Sequence, residues 1–259
     1  MKVTVVDDAR AAGRIAAERI AGLLGGRAVV GCPAGRTPRT TYATLGALAA
    51  ERALDLSRLH VIGMDEYVEP HGAGYRYCAA DAPHSCRRFA EQELRAVANA
   101  GLPDERRLAA RHVHFPDPQA PERYEEEIAD LGGIDLFLLA AGTSDGHVAF
   151  NPPGSSLESR TRIVALAEST RRDNLVTFPS LGTLERVPSF GVTVGLGTVA
   201  RHARAVLLLL LGAEKRTAFE RTLATRAFDP AWPASVVHAC ASAEIVADQA
   251  AGRGYRPSP

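Results

Sequence analysis

An aspartate and a histidine separated by one residue are the first candidates for chemistry in this chain. Asp145 and His147 lie on a loop bounded by Gly142 and Pro152, directly after the apolar run 134–140. A carboxylate beside a histidine can fix the imidazole tautomer and stabilise its protonated form, and imidazole titrates near neutral pH. The pair is therefore typical of general acid/base catalysis. The alternative is a turn in which both side chains only cap a helix or bind backbone groups.

Two adjacent acids, Asp65 and Glu66, follow a second apolar run, 59–64. Acids at a strand terminus suit chemistry, because one carboxylate can act as a base toward a bound carbon acid. Either side chain could instead cap the turn that follows.

The segment 31–42 follows another apolar run and predicts a turn from a strand into a helix. Thr37 is expected at the N-cap and Pro38 at the first helical position. Backbone N–H groups at such a helix start can bind phosphate. The segment matches neither GxxxxGK[ST] nor GxGxxG, so an ordinary capped turn is the alternative. Lys215, after the run 205–211, is placed to reach the same anion, although a surface lysine is the simpler interpretation.

Apolar, strand-like runs alternate with helical patterns along the whole chain, which predicts an α/β fold with a mainly parallel sheet and helices on both faces. Strands are predicted at 3–6, 28–32, 59–64, 134–140, 191–194, 205–211 and 244–247, and helices at 10–24, 40–50, 86–98, 120–130 and 213–224. We expect a single domain over residues 1–259, in which 152–188 forms a lid or peripheral segment.

Composition favours small-molecule chemistry. Thirty basic and thirty acidic residues cancel, so no overall positive field favours nucleic acid or an anionic membrane as a partner. The N-terminus has no signal-peptide pattern, and the longest apolar run is too short to span a bilayer. These features predict a cytoplasmic location.

The cysteines show no spacing typical of a disulfide framework, which suits reduced thiols. They are Cys32, Cys78, Cys86 and Cys240. Two of them form a cluster with histidines, made of His71, Cys78, His84 and Cys86. Its spacing matches no standard zinc site, so we predict a surface loop leading into a helix and no bound metal.

Six segments, taken in order, resemble the glucosamine-6-phosphate deaminase/isomerase family, which is related to the 6-phosphogluconolactonases. They are Gly31-Cys-Pro-Ala-Gly-Arg-Thr-Pro, Met64-Asp-Glu-Tyr, Gly142-Thr-Ser-Asp-Gly-His-Val-Ala-Phe-Asn, Ser159-Arg-Thr-Arg-Ile, Thr193-Val-Gly-Leu-Gly-Thr and Leu211-Gly-Ala-Glu-Lys. The resemblance covers nearly the whole chain and implies a Rossmann-like, doubly wound fold.

The resemblance also implies a role for each matching residue. Asp65 matches the base that moves a proton between C2 and C1 of the sugar, His147 the acid/base that opens the pyranose ring, and Asp145 its orienting carboxylate. The implied substrate is a hexosamine 6-phosphate, converted to a ketose 6-phosphate and ammonia without a cofactor. The implied substrate and phosphate ligands are Gly35, Arg36, Thr37, Gly142 and Lys215. Family members are often homo-oligomers.

The chain departs from the family pattern at several of these positions. Pro152 stands where deaminases have a glutamate, giving Asn-Pro-Pro in place of Asn-Glu-Pro. Val176 replaces a basic residue, for which Arg171 or Arg172 is predicted to substitute, and Arg36 adds a cation to the phosphate turn.

Three functions remain open from the sequence. The first is a hexosamine-phosphate deaminase/isomerase, which the retained Asp65 favours. The second is a lactonase-like sugar-phosphate hydrolase, in which His147 activates water. The third is a sugar-phosphate sensor that binds without turnover.

Overall fold

The computed structural model describes residues 1–256, in which eleven strands form two sheets. The strands are β1 (Lys2–Val6), β2 (Ala28–Cys32), β3 (Leu59–Gly63), β4 (Asp65–His71), β5 (Gly74–Tyr77), β6 (Val113–His114), β7 (Leu136–Ala140), β8 (Arg162–Ala165), β9 (Phe190–Thr193), β10 (Val206–Leu210) and β11 (Ala243–Asp248). The larger sheet is parallel throughout, in the order β1-β11-β10-β7-β2-β3-β6. The smaller sheet is antiparallel, in the order β5-β4-β9-β8.

Helices connect many of these strands along the chain. They are α1 (Ala9–Ala21), α2 (Arg39–Arg52), α3 (Cys86–Phe89), α4 (Ala96–Ala98), α5 (Arg123–Asp130), α6 (Glu168–Thr177), α7 (Leu196–His202) and α8 (Arg216–Ala224). A π-helical segment, Ala90–Arg95, joins α3 to α4, so the predicted helix 86–98 is continuous.

The parallel sheet is buried on both faces. Along β7, Phe137 and Leu139 pack into one hydrophobic core, whereas Leu136 and Leu138 pack into the other. Because successive side chains of a strand point to opposite faces, a continuous apolar run is what a sheet covered on both sides requires. This arrangement confirms the predicted α/β fold class.

Several elements differ from the sequence prediction. The run 191–194 is a strand, but β9 belongs to the antiparallel sheet, where Asp65 pairs with Thr193. Four strands and two helices were not predicted, namely β4, β5, β6, β8, α6 and α7. Most of these elements are short or carry charged residues, so their apolar periodicity is weak. In residues 1–256, no helix combines the length and apolar character needed to cross a membrane.

Three histidines meet at the edge of the parallel sheet. His60 Nδ1 lies 3.1 Å from His114 Nε2, and the rings of His60 and His112 stack with centroids 4.2 Å apart. His114 Nδ1 in turn contacts a carboxylate oxygen of Glu127 at 2.5 Å. Burial and the neighbouring His112, His114 and Arg27 lower the pKa of His60 to about 4.

Acidification is therefore expected to destabilise this edge. The pKa of a histidine in the unfolded chain is about 6.5, whereas that of folded His60 is about 4. Between these two pH values the unfolded chain therefore binds a proton that the folded protein does not bind. The contribution of His60 to the free energy of unfolding is therefore complete above pH 6.5 and is lost as the pH falls toward 4. At this half-buried site we expect His60→Phe to lose about 1 kcal/mol less than the native protein between pH 7.5 and 5, measured by urea unfolding. His71→Phe, at an exposed position, should behave like the native protein; equal losses in both variants would contradict the assignment.

Candidate active site

A cavity of about 340 Å³ opens at the carboxyl ends of the parallel strands. Ligands of open α/β sheets bind at this edge. The cavity is lined by seven of the eight residues that the sequence singled out, which are Gly35, Arg36, Thr37, Asp65, Gly142, His147 and Lys215. The eighth, Asp145, lies behind His147, and the structure therefore brings all the predicted site residues together.

Asp145 and His147 form a hydrogen-bonded pair on the loop after β7. His147 Nδ1 lies 2.7 Å from Asp145 Oδ1, which also accepts the backbone N–H of His147 at 3.1 Å. Burial would raise the pKa of Asp145, but the hydrogen bonds and charge of His147 and a bond from Ser169 hold it below its usual range. A carboxylate facing Nδ1 places the ring proton there and leaves Nε2 for a ligand in the cavity.

Two hydroxyl groups of α6 complete the surroundings of this pair. Ser169 donates to Asp145 Oδ2, and Thr170 Oγ1 lies 3.2 Å from His147 Nδ1. Neither residue was predicted as part of the site, because α6 itself was not predicted. The available signal was the group of hydroxylated residues in the segment 152–188.

Gly142 allows the pair to form by having no side chain. Its N–H donates to the carbonyl oxygen of His147 at 2.7 Å. A Cβ atom at this position would lie 2.2 Å from His147 Nδ1 and 2.5 Å from Asp145 Oδ1. The close approach of the loop to itself therefore requires glycine.

The adjacent acids Asp65 and Glu66 have separate environments. Asp65 begins β4 and lines the cavity, although its side chain is almost buried. Burial raises its pKa to about 7; a hydrogen bond from Cys86 Sγ and the charge of His147 act against this rise, whereas Glu66 adds to it. A carboxylate with such a pKa is well suited to exchange protons near neutral pH.

Glu66 points away from the cavity and is completely buried. Its carboxylate accepts backbone N–H groups of Tyr67, Cys86 and Arg87 at 2.8, 3.0 and 2.9 Å, and the Ser85 hydroxyl at 2.8 Å. Two of these N–H groups belong to the first turn of α3, whose positive dipole end favours a carboxylate. Glu66 therefore caps α3, a helix twenty positions away, and not the turn directly after β3 that the sequence alternative named.

The predicted cap of α2 is wrong by one residue. The helix begins at Arg39, Pro38 occupies the N-cap position, and no side chain caps it. Pro38 adopts φ −83° and ψ −4°, which continues the turn instead of opening an extended N-cap. Thr37 lies in the cavity wall beside Gly35, whose φ of +94° favours glycine.

Two basic side chains are among the lining residues of the described chain, Arg36 and Lys215. Lys215 Nζ donates to the Ala141 carbonyl oxygen at 2.7 Å and to Thr143 Oγ1 at 3.0 Å. Burial lowers the pKa of Lys215, and the carboxylates of Asp173, Glu214 and Asp145 partly offset that effect. Arg36 is exposed at the mouth of the cavity.

The predicted substitution for the basic residue at Val176 is wrong. Arg171 donates to the carbonyl oxygens of Leu184 and Val187 at 2.6 and 3.1 Å, and Arg172 pairs with Glu168. Neither arginine lines the cavity. Both guanidinium groups therefore bind partners within the segment 152–188 that contains them.

The Asn-Pro-Pro segment is anchored to the structure beside the site. Asn151 is buried and donates to the carbonyl oxygens of Val148 and Val194 at 3.0 and 2.7 Å, and it accepts from Arg162 at 2.9 Å. Pro152 does not line the cavity. Pro152 supplies no carboxylate to the Asp145–His147 pair, whose contacts in the described part of the chain include the hydroxyls of Ser169 and Thr170.

The histidine and cysteine cluster is divided between different environments. Cys78 and Cys86 are buried beside Glu66 and Asp65, His84 packs edge-on against Tyr67, and His71 is exposed. Within residues 1–256, no group of three or more His, Cys, Asp or Glu side chains is arranged to hold a metal ion.

Comparison with known proteins places this geometry in a family. The chain is 38% identical over 260 residues to the glucosamine-6-phosphate deaminase of Cutibacterium acnes, covering 97% of this chain and 91% of that protein. A solved monomeric glucosamine-6-phosphate deaminase superposes with a TM-score of 0.83 at 27% identity, covering 97% of this chain and 99% of that one. The 6-phosphogluconolactonase of Trypanosoma brucei shares the fold, with a TM-score of 0.69 at 20% identity and 98% coverage of both chains.

The family described as glucosamine-6-phosphate isomerases/6-phosphogluconolactonase matches residues 7–246. That span includes Asp65, His147, the turn at 31–38 and Lys215. The chain therefore belongs to the glucosamine-6-phosphate isomerase/6-phosphogluconolactonase family.

Proposed function

We propose that this protein is a glucosamine-6-phosphate deaminase/isomerase, which converts a hexosamine 6-phosphate to a ketose 6-phosphate and ammonia. The observation that carries the proposal is the opening of two acid/base groups, Asp65 and His147, onto one cavity that also contains Arg36 and Lys215. An aldose–ketose conversion needs two such groups and an anchor for the phosphate. The deaminases among its relatives support this choice.

His147 acts first in the proposed reaction. Its Nε2 accepts the proton of the sugar O1 hydroxyl and delivers a proton to the ring oxygen, so that the C1–O5 bond breaks and an aldehyde forms. Asp145 holds the proton on Nδ1 and stabilises the transient imidazolium. Ser169 fixes the other oxygen of Asp145.

Asp65 then moves a proton along the open chain. Its carboxylate removes the proton from C2 while O1 takes up a proton, which gives an enolamine. The carboxyl group then returns its proton to C1 as the amine nitrogen loses one, which leaves an imine at C2 and a hydroxyl at C1. Water adds to this imine, and ammonia leaves from C2 to give the ketose. The pKa of Asp65, about 7, allows the carboxyl group to take and return the proton near neutral pH.

The decisive experiment is incubation of the pure protein with glucosamine-6-phosphate, with ammonia and fructose-6-phosphate measured together. Equal amounts of both products are expected. Opening of 6-phosphogluconolactone without ammonia would replace the proposal with the hydrolase function, for which His147 suffices. Calorimetric binding of the sugar phosphate without either reaction would indicate a sensor.

Arg36 is expected to contribute binding energy for the phosphate. A charge-assisted hydrogen bond contributes about 1.5–3 kcal/mol, so Arg36→Met should raise KM by about 10- to 100-fold with little change in kcat. Arg39→Met is the matched control, because Arg39 pairs with Glu93 and lies over the Phe89 ring. Steady-state kinetics test this; a similar KM in both variants would remove Arg36 from the phosphate site.

Three further sequence-based expectations remain predictions. The segment 152–188 is expected to act as a lid, and its helix α6 supports this by contacting Asp145 and His147. A cytoplasmic location is expected for an enzyme of sugar phosphates. A homo-oligomer is also expected, although the solved deaminase relative is monomeric; light scattering of the eluted protein decides between the two states.

A further inference from the structure

A buried thiol lies against the carboxylate of Asp65. Cys86 Sγ is 3.2 Å from Asp65 Oδ1, and both side chains line the cavity although each is less than a tenth exposed. Cys86 is the first residue of α3, and its backbone N–H is held by Glu66 at 3.0 Å. The thiol is therefore placed by the helix start and not by a flexible loop.

We propose that Cys86 is a positioning residue for Asp65, whose thiol donates to Oδ1 and thereby leaves Oδ2 as the atom that takes the substrate proton. This inference rests on the proposed function, in which Asp65 is the base. The two adjacent acids then have linked roles. Glu66 holds the start of α3, which carries the thiol, and the thiol orients the carboxylate of Asp65.

The charges around the pair favour this direction of the hydrogen bond. Burial and the nearby carboxylates of Asp65 and Glu66 raise the pKa of the Cys86 thiol well above its ordinary value, so the thiol keeps its proton. The titratable groups that act on Asp65 are Cys86 from α3, Glu66 from β4 and His147 from the loop after β7. On β9, the residue paired with Asp65 is the uncharged Thr193. Cys86 is therefore a donor that stabilises the ionised base.

Removal of this donor should move the pH dependence of the reaction. In Cys86→Ala the acidic limb of kcat/KM is expected to shift upward by about 0.5 to 1 pH unit, because a thiol is a weak donor to a charged acceptor. Cys86→Ser retains a donor and should restore the limb to its native position or below it. Cys78→Ala is the matched control, since Cys78 is also buried but lies 3.6 Å from Glu66 Oε1; its limb should stay in place.

A second readout does not depend on activity. In protein labelled with 13C at the aspartate side-chain carboxyl, the Asp65 signal, identified by its loss in Asp65→Asn, is titrated in the native protein and in each cysteine variant. The same upward shift in Cys86→Ala is expected. If the native protein releases no ammonia from glucosamine-6-phosphate, the proposed function fails, and this titration still tests the thiol contact.

Two results would overturn the inference. One is an Asp65 titration that is unchanged in Cys86→Ala. The other is the same shift in Cys86→Ser as in Cys86→Ala, which would show that packing, and not the donor, controls the carboxyl group.

Discussion

Asp65→Asn is expected to lower kcat for glucosamine-6-phosphate conversion by about 10²- to 10⁴-fold, the range typical of a lost general base. Asparagine has nearly the same shape as aspartate. Its side-chain carbonyl oxygen can still accept the hydrogen bond that the Cys86 thiol donates to Asp65 Oδ1, over 3.2 Å, in the native protein. The fold should therefore persist while the atom that carries the proton is lost. Ammonia release gives the rate, and solvent deuterium incorporation at C1 of the product reports the proton transfer itself.

The matched control for this variant is Glu69→Gln on the same strand. Glu69 is an exposed acid of β4 that pairs with Arg76 outside the cavity. Its replacement should leave the rate unchanged. Isomerisation that survives in Asp65→Asn would show that another group is the base. A native protein that opens the lactone without isomerising glucosamine-6-phosphate, and an Asp65→Asn variant that opens it equally fast, would favour the hydrolase.

Gly142→Ala is expected to reduce kcat by about 10²-fold without removing any functional group. The added methyl would lie 2.2 Å from His147 Nδ1 and 2.5 Å from Asp145 Oδ1, so the two side chains must separate. A displacement of about 1 Å in a catalytic group can cost this factor. Gly142 is not among the glycines with positive φ, so alanine introduces a steric overlap and not backbone strain.

A distant glycine provides the comparison for this second variant. Gly25→Ala places a methyl group where no atom lies within 4 Å, and both rate and melting temperature should remain native. Circular dichroism and ammonia release measure the two properties together. Full activity in Gly142→Ala would mean that the contact between Asp145 and His147 is dispensable.

Six of the seven strands of the parallel sheet are predictable because each lies in a largely apolar run; the exception, β6, has only two residues. β2 and β10 are buried at every position, so their sequences contain the signal of a sheet covered on both faces. The antiparallel sheet lacks this signal. β4 ends in exposed residues and β8 contains none that is fully buried, and both are stabilised by pairing with β9. Such pairing between distant segments leaves little periodicity in either one.

The sequence by itself determined the parallel core, the Asp145–His147 pair and the presence of an acid at the end of β3, because each depends on neighbouring residues in the chain. Only the tertiary structure decided that Asp65 faces the cavity while Glu66 caps α3, and that Ser169 supports Asp145. It also showed that Arg171 is committed to backbone carbonyls. The physical reason is that a side chain's role depends on the partners that folding brings to it, and these partners lie 13 to 24 positions away along the chain.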